Sequence, residues 1–293
     1  MAKQNRFFQN TIAIVYDFDG TLSPQPMQEY TVLPKIGVKP KRFWKEVSRE
    51  SKDTVSEAML VYMRLMLHKA EAATTHIGRD DLKRMGKAIK YFPGVTQWFS
   101  RINKFVQKEG KGRIKIKHYI ISAGLKEILE GSSIKKHFER IYASEYHFNH
   151  HDIATFPKLL ITDTAKTQYL FRINKGKENL GQSINEHMSP SLRPIPFSNM
   201  IYIGDGMTDV PSMAVIKTNG GNTIAVYKKN SRKEKSVCEK LLEVGRAHLI
   251  AQADYSQGGQ LDKMVKILLR SVIANIEYDH EQHDCRRVHR MFH

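Results

Sequence analysis

The most informative part of this chain is the stretch Ile12-Ala13-Ile14-Val15-Tyr16-Asp17-Phe18-Asp19-Gly20-Thr21. Its first half is a run of apolar and β-branched residues that is typical of a buried strand. The run ends in two carboxylates, Asp17 and Asp19, which are separated by one residue. Because Asp is unfavourable in strands, we expect these carboxylates to serve a ligand rather than the strand. Two negative groups this close require a cation or different protonation states, so the stretch predicts a metal site, an acid–base pair, or both.

The composition describes a basic protein that is long enough for about two domains. The chain has 293 residues, of which 41% are hydrophobic, and a formal net charge of +17. Such a charge is compatible with nucleic acid, anionic membranes or anionic small substrates as partners. Since the basic residues are spread along most of the chain, a solvated basic surface is the favoured interpretation. A nucleic-acid partner is the alternative that the charge leaves open.

The cysteine content and the termini bear on localisation. Two cysteines, Cys238 and Cys285, are too few for a disulfide framework. A cleaved signal peptide would remove the carboxylate pair, and no apolar stretch reaches transmembrane length. We therefore expect a soluble cytoplasmic protein with reduced thiols and no membrane partner.

The chain changes character after the opening stretch. A breaker cluster at residues 23–26 precedes a helical pattern from about Pro40 to Phe92. Strands and helices then alternate, up to a last helix from Leu261 to Ile276. The predicted strands cover residues 12–16, 114–121, 140–143, 200–203, 223–227 and 248–250, with a further extended piece at 159–161. This alternation predicts a parallel sheet with helices on both faces, and the polar stretch 174–199 predicts a loop or insertion.

Polar residues follow three of the predicted strands. Asp17 and Asp19 follow the first, Ser122 follows the second, and Asp205 and Asp209 follow the strand at 200–203. The carboxyl ends of parallel strands lie at one edge of the sheet, so these side chains are expected to converge. Carboxylates from two strand ends suit Mg²⁺, which prefers oxygen ligands.

An anion site is predicted beside the carboxylates. Ser122-Ala123-Gly124 stands where a strand is expected to pass into a helix, whose free N–H groups attract anions. Lys166, near the start of another predicted helix, adds a positive charge. A metal, an anion site, a lysine and a carboxylate pair together indicate phosphoryl transfer, in which charge neutralisation and positioning carry most of the catalysis.

These pieces resemble, in order, the four motifs of the haloacid dehalogenase-like (HAD) hydrolase superfamily. Motif I is Asp17–Thr21, motif II is Ser122, motif III is a lysine best matched by Lys166, and motif IV is Gly204–Asp209. The resemblance covers roughly residues 11–275 and is nearest to the phosphoserine-phosphatase-like branch. It implies an α/β fold: a Rossmann-like three-layer core with a parallel sheet, and a small helical C1-type cap inserted after the first strand.

The domain limits that the resemblance implies are discontinuous. The core would comprise residues 1–22 and 92–277, the cap residues 23–91, and a C-terminal tail residues 278–293. Four potential metal ligands lie in that tail: His280, His283, Cys285 and His289. Their spacing fits no strong zinc pattern, so a frayed polar tail is expected.

The resemblance also implies a role for each motif residue. Asp17 would be the nucleophile that forms an aspartyl-phosphate, and Asp19 the general acid and base. The metal would be Mg²⁺, held by Asp17, the Asp19 carbonyl and Asp205, with Asp209 as a ligand or orienting group. The phosphate would be bound by Thr21, Ser122, Ala123, Gly124 and Lys166.

The expected activity is therefore hydrolysis of a phosphomonoester, with a small phosphorylated metabolite as substrate and the cap selecting it. Phosphoryl transfer or mutase chemistry of the same family is one alternative. A basic nucleic-acid-binding protein on an inherited HAD fold is another. For motif III, Lys158 is the competing lysine.

Overall fold

A computed structural model describes Phe7 and residues 9–291, without the side chains of residues 287 and 289–291. The strands are β1 (Thr11–Tyr16), β2 (Lys115–Leu125), β3 (Arg140–Phe148), β4 (Ala154–Leu159), β5 (Met200–Gly204), β6 (Asn222–Tyr227) and β7 (Leu249–Gln252). They form one sheet in the order β4-β3-β2-β1-β5-β6-β7. Strand β4 runs antiparallel to β3, and the other neighbours are parallel. The predicted α/β fold with a mainly parallel sheet is confirmed.

Helices surround this sheet and also fill the segment between β1 and β2. The α-helices are α1 (Met27–Tyr30), α2 (Val32–Lys35), α3 (Pro40–Asp53), α4 (Ala58–Ala72), α5 (Arg79–Met85), α6 (Val95–Glu109), α7 (Lys126–Glu130), α8 (Lys166–Lys175), α9 (Val210–Thr218), α10 (Arg232–Glu243) and α11 (Gln260–Met291). Helices α1–α5, which we call the helical insert, follow the first strand, where the sequence predicts a helical pattern.

The apolar residues of the central strand serve two cores, one on each face of the sheet. Ile12, Ile14 and Tyr16 of β1 pack with residues of α6 and α11, whereas Ala13 and Val15 pack with residues of α8, α9 and α10. Successive side chains of a strand point to opposite faces, so a continuous apolar run is required when both faces are covered. The layers are therefore helix, sheet and helix.

The strands on the β4 side of the sheet differ from the prediction. The strand predicted over residues 140–143 continues to Phe148, and the extended piece predicted at 159–161 is preceded by β4, which ends at Leu159. Strand β4 contains Pro157 and several exposed side chains, because it lies at the sheet edge, where Pro is tolerated. An edge strand with little burial leaves little apolar pattern in the sequence, which explains the error.

The C-terminal segment is helical beyond the predicted end of the last helix. Helix α11 continues through the predicted tail to Met291, while residues 292 and 293 and the side chain of His289 lie outside the described residues. His280 lies 5.4 Å from the ring of Phe7 and 3.4 Å from the Asp284 carboxylate. Side-chain pairs four residues apart, such as His280 and Asp284, stabilise a helix that has no apolar pattern. Hydrophobic periodicity therefore did not predict this part of α11. No helix of the described residues is long and apolar enough to cross a membrane.

A buried hydrogen-bonded chain braces the strand that leads to Asp17. The Trp98 indole donates to the Tyr16 hydroxyl over 2.8 Å, and that hydroxyl lies 3.0 Å from Nδ1 of His118. Nε2 of His118 lies 2.8 Å from the side-chain oxygen of Asn103. The geometry assigns a neutral imidazole whose Nε2–H donates to Asn103 and whose Nδ1 accepts from Tyr16. Burial lowers the pKa of His118 to about 3.

This His118 pKa predicts a loss of stability in mild acid. Below its ordinary pKa of 6.5 the unfolded chain binds a proton on His118, whereas the folded protein stays neutral down to about pH 3. Between pH 7 and pH 5 the wild type should therefore lose about 2 kcal/mol more unfolding free energy than His118→Gln. Denaturant unfolding followed by circular dichroism at both pH values measures this difference. Equal losses for the two proteins would refute the assignment of a neutral buried imidazole.

Candidate active site

The ends of three strands meet at the middle of one sheet edge, because β1 lies between β2 and β5. Tyr16, the last residue of β1, pairs with Ile120 of β2 and with Ile203 of β5. The Asp17 N–H continues this pairing by donating to the Ile203 carbonyl over 2.9 Å. Asp17 therefore leaves the sheet level with the polar residues that follow the two neighbouring strands.

Lys166 brings a buried positive charge to this edge. It is the first residue of α8, and its ammonium donates to Oδ1 of Asp17 over 3.0 Å and to Oδ1 of Asp209 over 2.7 Å. Burial alone would lower the pKa of Lys166, but the charges of Asp17 and Asp209 outweigh it and hold the pKa well above its ordinary value. Lys158, the competing lysine, lies in β4 and pairs with Glu145.

Three carboxylates surround a space that could hold a cation. Asp17, Asp205 and Asp209 place carboxylate oxygens within 4.8 Å of one another. Burial raises the pKa of Asp17 to about 6 and that of Asp205 well above its ordinary value, and neighbouring carboxylates add to both increases. Lys166 balances only part of this charge. An all-oxygen donor set with surplus negative charge fits Mg²⁺.

Asp209 is held by three donors. Besides Lys166, the Tyr202 hydroxyl donates to its Oδ1 over 2.6 Å, and the Asp205 N–H donates to its Oδ2 over 3.0 Å. Asp209 is thus better placed to fix Lys166 and the turn after β5 than to move with a ligand. Sequence reasoning placed Tyr202 only in a strand and missed this contact. The sequence feature that could have indicated this contact is a tyrosine inside a buried strand, because the hydroxyl of such a tyrosine requires a hydrogen-bond partner.

Asp19 and Thr21 lie in the tight turn after β1. Oδ1 of Asp19 accepts a hydrogen bond from the Met27 N–H over 2.9 Å, so this carboxyl group is tied to the helical insert. Burial and the charge of Asp17 raise the pKa of Asp19 well above its ordinary value, which favours the protonated form. Thr21 is fully buried, its carbonyl accepts from the Tyr255 hydroxyl over 2.9 Å, and its own hydroxyl lacks a partner among the described residues.

The segment Ser122-Ala123-Gly124 differs from the predicted helix N-terminus. Strand β2 continues to Leu125, its pairing with β3 is irregular between Ser122 and Leu125, and the following helix α7 has only 5 residues. The Gly124 N–H donates to the Ser122 hydroxyl over 3.0 Å. The segment is therefore an irregular strand end at the edge where Asp17 emerges, and a short helix contributes little dipole to it.

The sheet and its buried aspartate–lysine cluster define a Rossmann-like α/β protein, and the cluster lies at the carboxyl ends of parallel strands. The sequence profile described as haloacid dehalogenase-like hydrolase matches residues 14–214. The chain belongs to this family, which confirms the resemblance found in the four motifs.

Three known proteins are similar to this chain, one in sequence and two in fold. An uncharacterized protein of Borreliella burgdorferi is 28% identical in an alignment 277 residues long, which covers 86% of this chain and 94% of that protein. A HAD family hydrolase of Salmonella enterica serovar Typhi has a TM-score of 0.58 at 14% identity, over 89% of this chain and 71% of its own. A phosphoserine phosphatase solved as a phospho-aspartyl intermediate analogue has a TM-score of 0.55 at 15% identity, over 88% of this chain and 99% of its own. At these identities the two structures show a shared fold.

The turn that carries Asp19 depends on glycine at position 20. Gly20 has a φ of +82°, and a Cβ there would lie 2.1 Å from Oδ2 of Asp205. Gly20→Ala should therefore displace the Asp205 carboxylate. If this carboxylate holds Mg²⁺, the affinity for the ion should fall by about tenfold or more, because an orienting change at a metal site typically costs that much. Isothermal titration calorimetry with MgCl₂ measures this affinity.

The control variant Gly37→Ala separates the effect of a positive φ from the effect of a steric clash with Asp205. Gly37 also has a positive φ, +67°, but a Cβ there would meet nothing within 4 Å. It should lose about 1 kcal/mol of stability and keep its Mg²⁺ affinity. Unchanged Mg²⁺ affinity in Gly20→Ala would show that Asp205 does not hold the metal.

Proposed function

We propose that the protein is a Mg²⁺-dependent phosphatase that hydrolyses a phosphomonoester through an aspartyl-phosphate on Asp17. The observation that carries this proposal is the buried contact between Asp17 and Lys166, at the point where three strand ends meet. A carboxylate held by a fixed cation is oriented for in-line attack, and the same cation can neutralise charge on the transferring group. Family membership supports hydrolase chemistry.

Asp19 is proposed as the proton carrier. Its raised pKa keeps a proton available for the leaving alcohol, because burial and Asp17 disfavour the charged form. Once it has lost that proton, Asp19 can activate water to hydrolyse the acyl-phosphate. The Met27 N–H, which donates to Asp19, holds the carboxyl group in place through both steps. A single residue would thus act first as acid and then as base.

Mg²⁺ fits the proposed site, and we assign Asp17, Asp205 and the Asp19 carbonyl to hold it. When bound, the ion would neutralise negative charge on the phosphate and on the carboxylates around it. Asp209 would fix Lys166 rather than the substrate, since its oxygens already accept from Lys166, Tyr202 and Asp205.

Phosphate binding is assigned to the remaining motif residues, which are Thr21, Ser122, Ala123, Gly124 and Lys166. The buried unpartnered hydroxyl of Thr21 supports its inclusion, because a buried hydroxyl without a partner is costly. The Ser122 hydroxyl accepts from Gly124 and keeps its own hydrogen for another acceptor.

The helical insert is proposed to be the cap, as residues 23–91, over a core of residues 1–22 and 92–277. Two contacts support this: the Tyr62 hydroxyl donates to the Ala123 carbonyl over 3.1 Å, and the Tyr146 hydroxyl donates to the Met63 carbonyl over 2.9 Å. The first holds helix α4 against β2, which carries Ser122, and the second holds it against the neighbouring strand β3. A cap in this position would exclude water and select the alcohol.

The proposed mechanism predicts opposite burst behaviour for two isosteric variants. With Mg²⁺ and p-nitrophenyl phosphate, Asp17→Asn should lose roughly a thousandfold or more in turnover, because no nucleophile remains. Asp19→Asn should release one equivalent of p-nitrophenol in a burst and then stall, since this leaving group needs no acid but the acyl-phosphate still needs a base. Stopped-flow absorbance measures both.

Circular dichroism and thermal unfolding of both variants serve as the control for folding. Turnover retained in folded Asp17→Asn would contradict the proposal. Added alcohols in the wild-type assay distinguish hydrolysis from transfer, because a phosphotransferase would form new phosphate esters in place of inorganic phosphate.

A further inference from the structure

A tyrosine hydroxyl of the helical insert contacts the core beside the predicted phosphate-binding segment. Tyr62 of α4 is buried, and its hydroxyl donates to the carbonyl of Ala123, next to Ser122. Burial raises the pKa of Tyr62 well above its ordinary value, the charges of Asp19 and Glu127 raise it further, and the Gln28 side chain lowers it. Asp19, Gln28 and Glu127 are thus close enough to act on the Tyr62 hydroxyl, which itself contacts the Ala123 carbonyl.

Two acceptor oxygens near Tyr62 have no partner among the described residues: Oε1 of Gln28 and Oε2 of Glu127. Both residues are almost fully buried, at 2% and 4% exposure. Gln28 follows Met27, whose N–H is bonded to Asp19, so it lies next to the proposed proton carrier. Buried acceptors without donors cost free energy, and a ligand that brings N–H or O–H groups would remove that cost.

The charges on this side of the site are negative. Glu29, which accepts from the Trp44 indole over 2.8 Å, and Asp17 both raise the pKa of Asp19 in addition to its burial. Arg79 is the cation that acts on Glu127, and it is already paired with Asp152 at 3.1 Å and stacked on a phenylalanine ring. Lys166 is engaged by Asp17 on the phosphate side. A carboxylate on the substrate would therefore lie near Glu29, and the two cations Arg79 and Lys166 are already paired with other carboxylates.

We propose that Gln28, Tyr62 and Glu127 receive the alcohol part of the substrate, and that this alcohol carries N–H or O–H donors and no carboxylate. An amino alcohol or a polyol has this chemistry. The inference rests on the proposed phosphatase function and adds the class of substrate to it. It also separates this chain from the phosphoserine phosphatases whose fold it shares, since phosphoserine carries a carboxylate beside its ammonium group.

Matched pairs of esters test the substrate class. Phosphoethanolamine and O-phosphoserine differ by one carboxylate, and glycerol 3-phosphate and 3-phosphoglycerate differ by the exchange of a hydroxymethyl group for a carboxylate. The wild type should show kcat/KM at least about tenfold higher for the carboxylate-free member of each pair, because a buried site rejects an unpaired charge. Comparison of the two carboxylate-free esters distinguishes an ammonium from hydroxyl groups. Equal or higher values for the carboxylated members would overturn the proposal.

Variants of Gln28 and Glu127 test whether these two residues contact the alcohol. We expect Gln28→Leu to lower kcat/KM for the better ester, relative to p-nitrophenyl phosphate, by about tenfold, since one hydrogen bond to the alcohol is lost. Glu127→Gln should lower the same ratio by presenting a donor in place of an acceptor. The ratio does not depend on the fraction of folded enzyme. Gln97→Leu, at an exposed position of α6, is the matched control and should leave the ratio unchanged.

The outcomes separate the two proposals. An unchanged ratio in both Gln28→Leu and Glu127→Gln would show that neither oxygen contacts the alcohol, and would overturn the assignment of the alcohol site. In that case Asp17-dependent hydrolysis of p-nitrophenyl phosphate would still support the phosphatase function. Absence of Asp17-dependent hydrolysis of every ester would refute the phosphatase function itself.

Discussion

The ion pair between Lys166 and the carboxylates of Asp17 and Asp209 is the interaction on which the site depends. It joins β1, α8 and the turn after β5, and all three groups are buried. Loss of a partner from a buried pair typically costs about 3–5 kcal/mol, because the remaining charge has no compensation. The surplus of carboxylates over this single ammonium sets the demand for a divalent cation. The same ion pair therefore holds the three elements together and sets the charge of the proposed site.

The polar residues at strand ends could be predicted because parallel topology brings them together whatever their separation in sequence. This is how the sequence pointed to Asp17, Ser122 and Asp205. The strand before Asp17 could also be predicted, because it is apolar on both faces. Other features depend on tertiary packing. Tyr202 reads as an ordinary strand residue until Asp209 is placed beside its hydroxyl. Strand β4 carries little apolar pattern, because edge strands are exposed.

The sequence predicts the helical insert only in part. Its helices are visible in the periodicity, but the partners of its buried polar groups are not. Tyr62 contacts the Ala123 carbonyl and Met27 contacts Asp19. The insert therefore contacts both the proposed phosphate-binding segment and the proposed proton carrier. In our account the strand ends determine which bond is broken, and the polar groups of the insert determine which alcohol is accepted. This division allows one fold to serve many substrates.

Detection of the covalent intermediate would show whether Asp17 is the nucleophile. The enzyme is mixed with Mg²⁺ and a phosphomonoester, quenched in acid and reduced with borohydride, which converts an aspartyl-phosphate to homoserine. Mass spectrometry of the peptides then locates the change. Our account predicts homoserine at position 17 and at no other aspartate. Active enzyme that yields no homoserine, or homoserine at Asp19, Asp205 or Asp209, would contradict it.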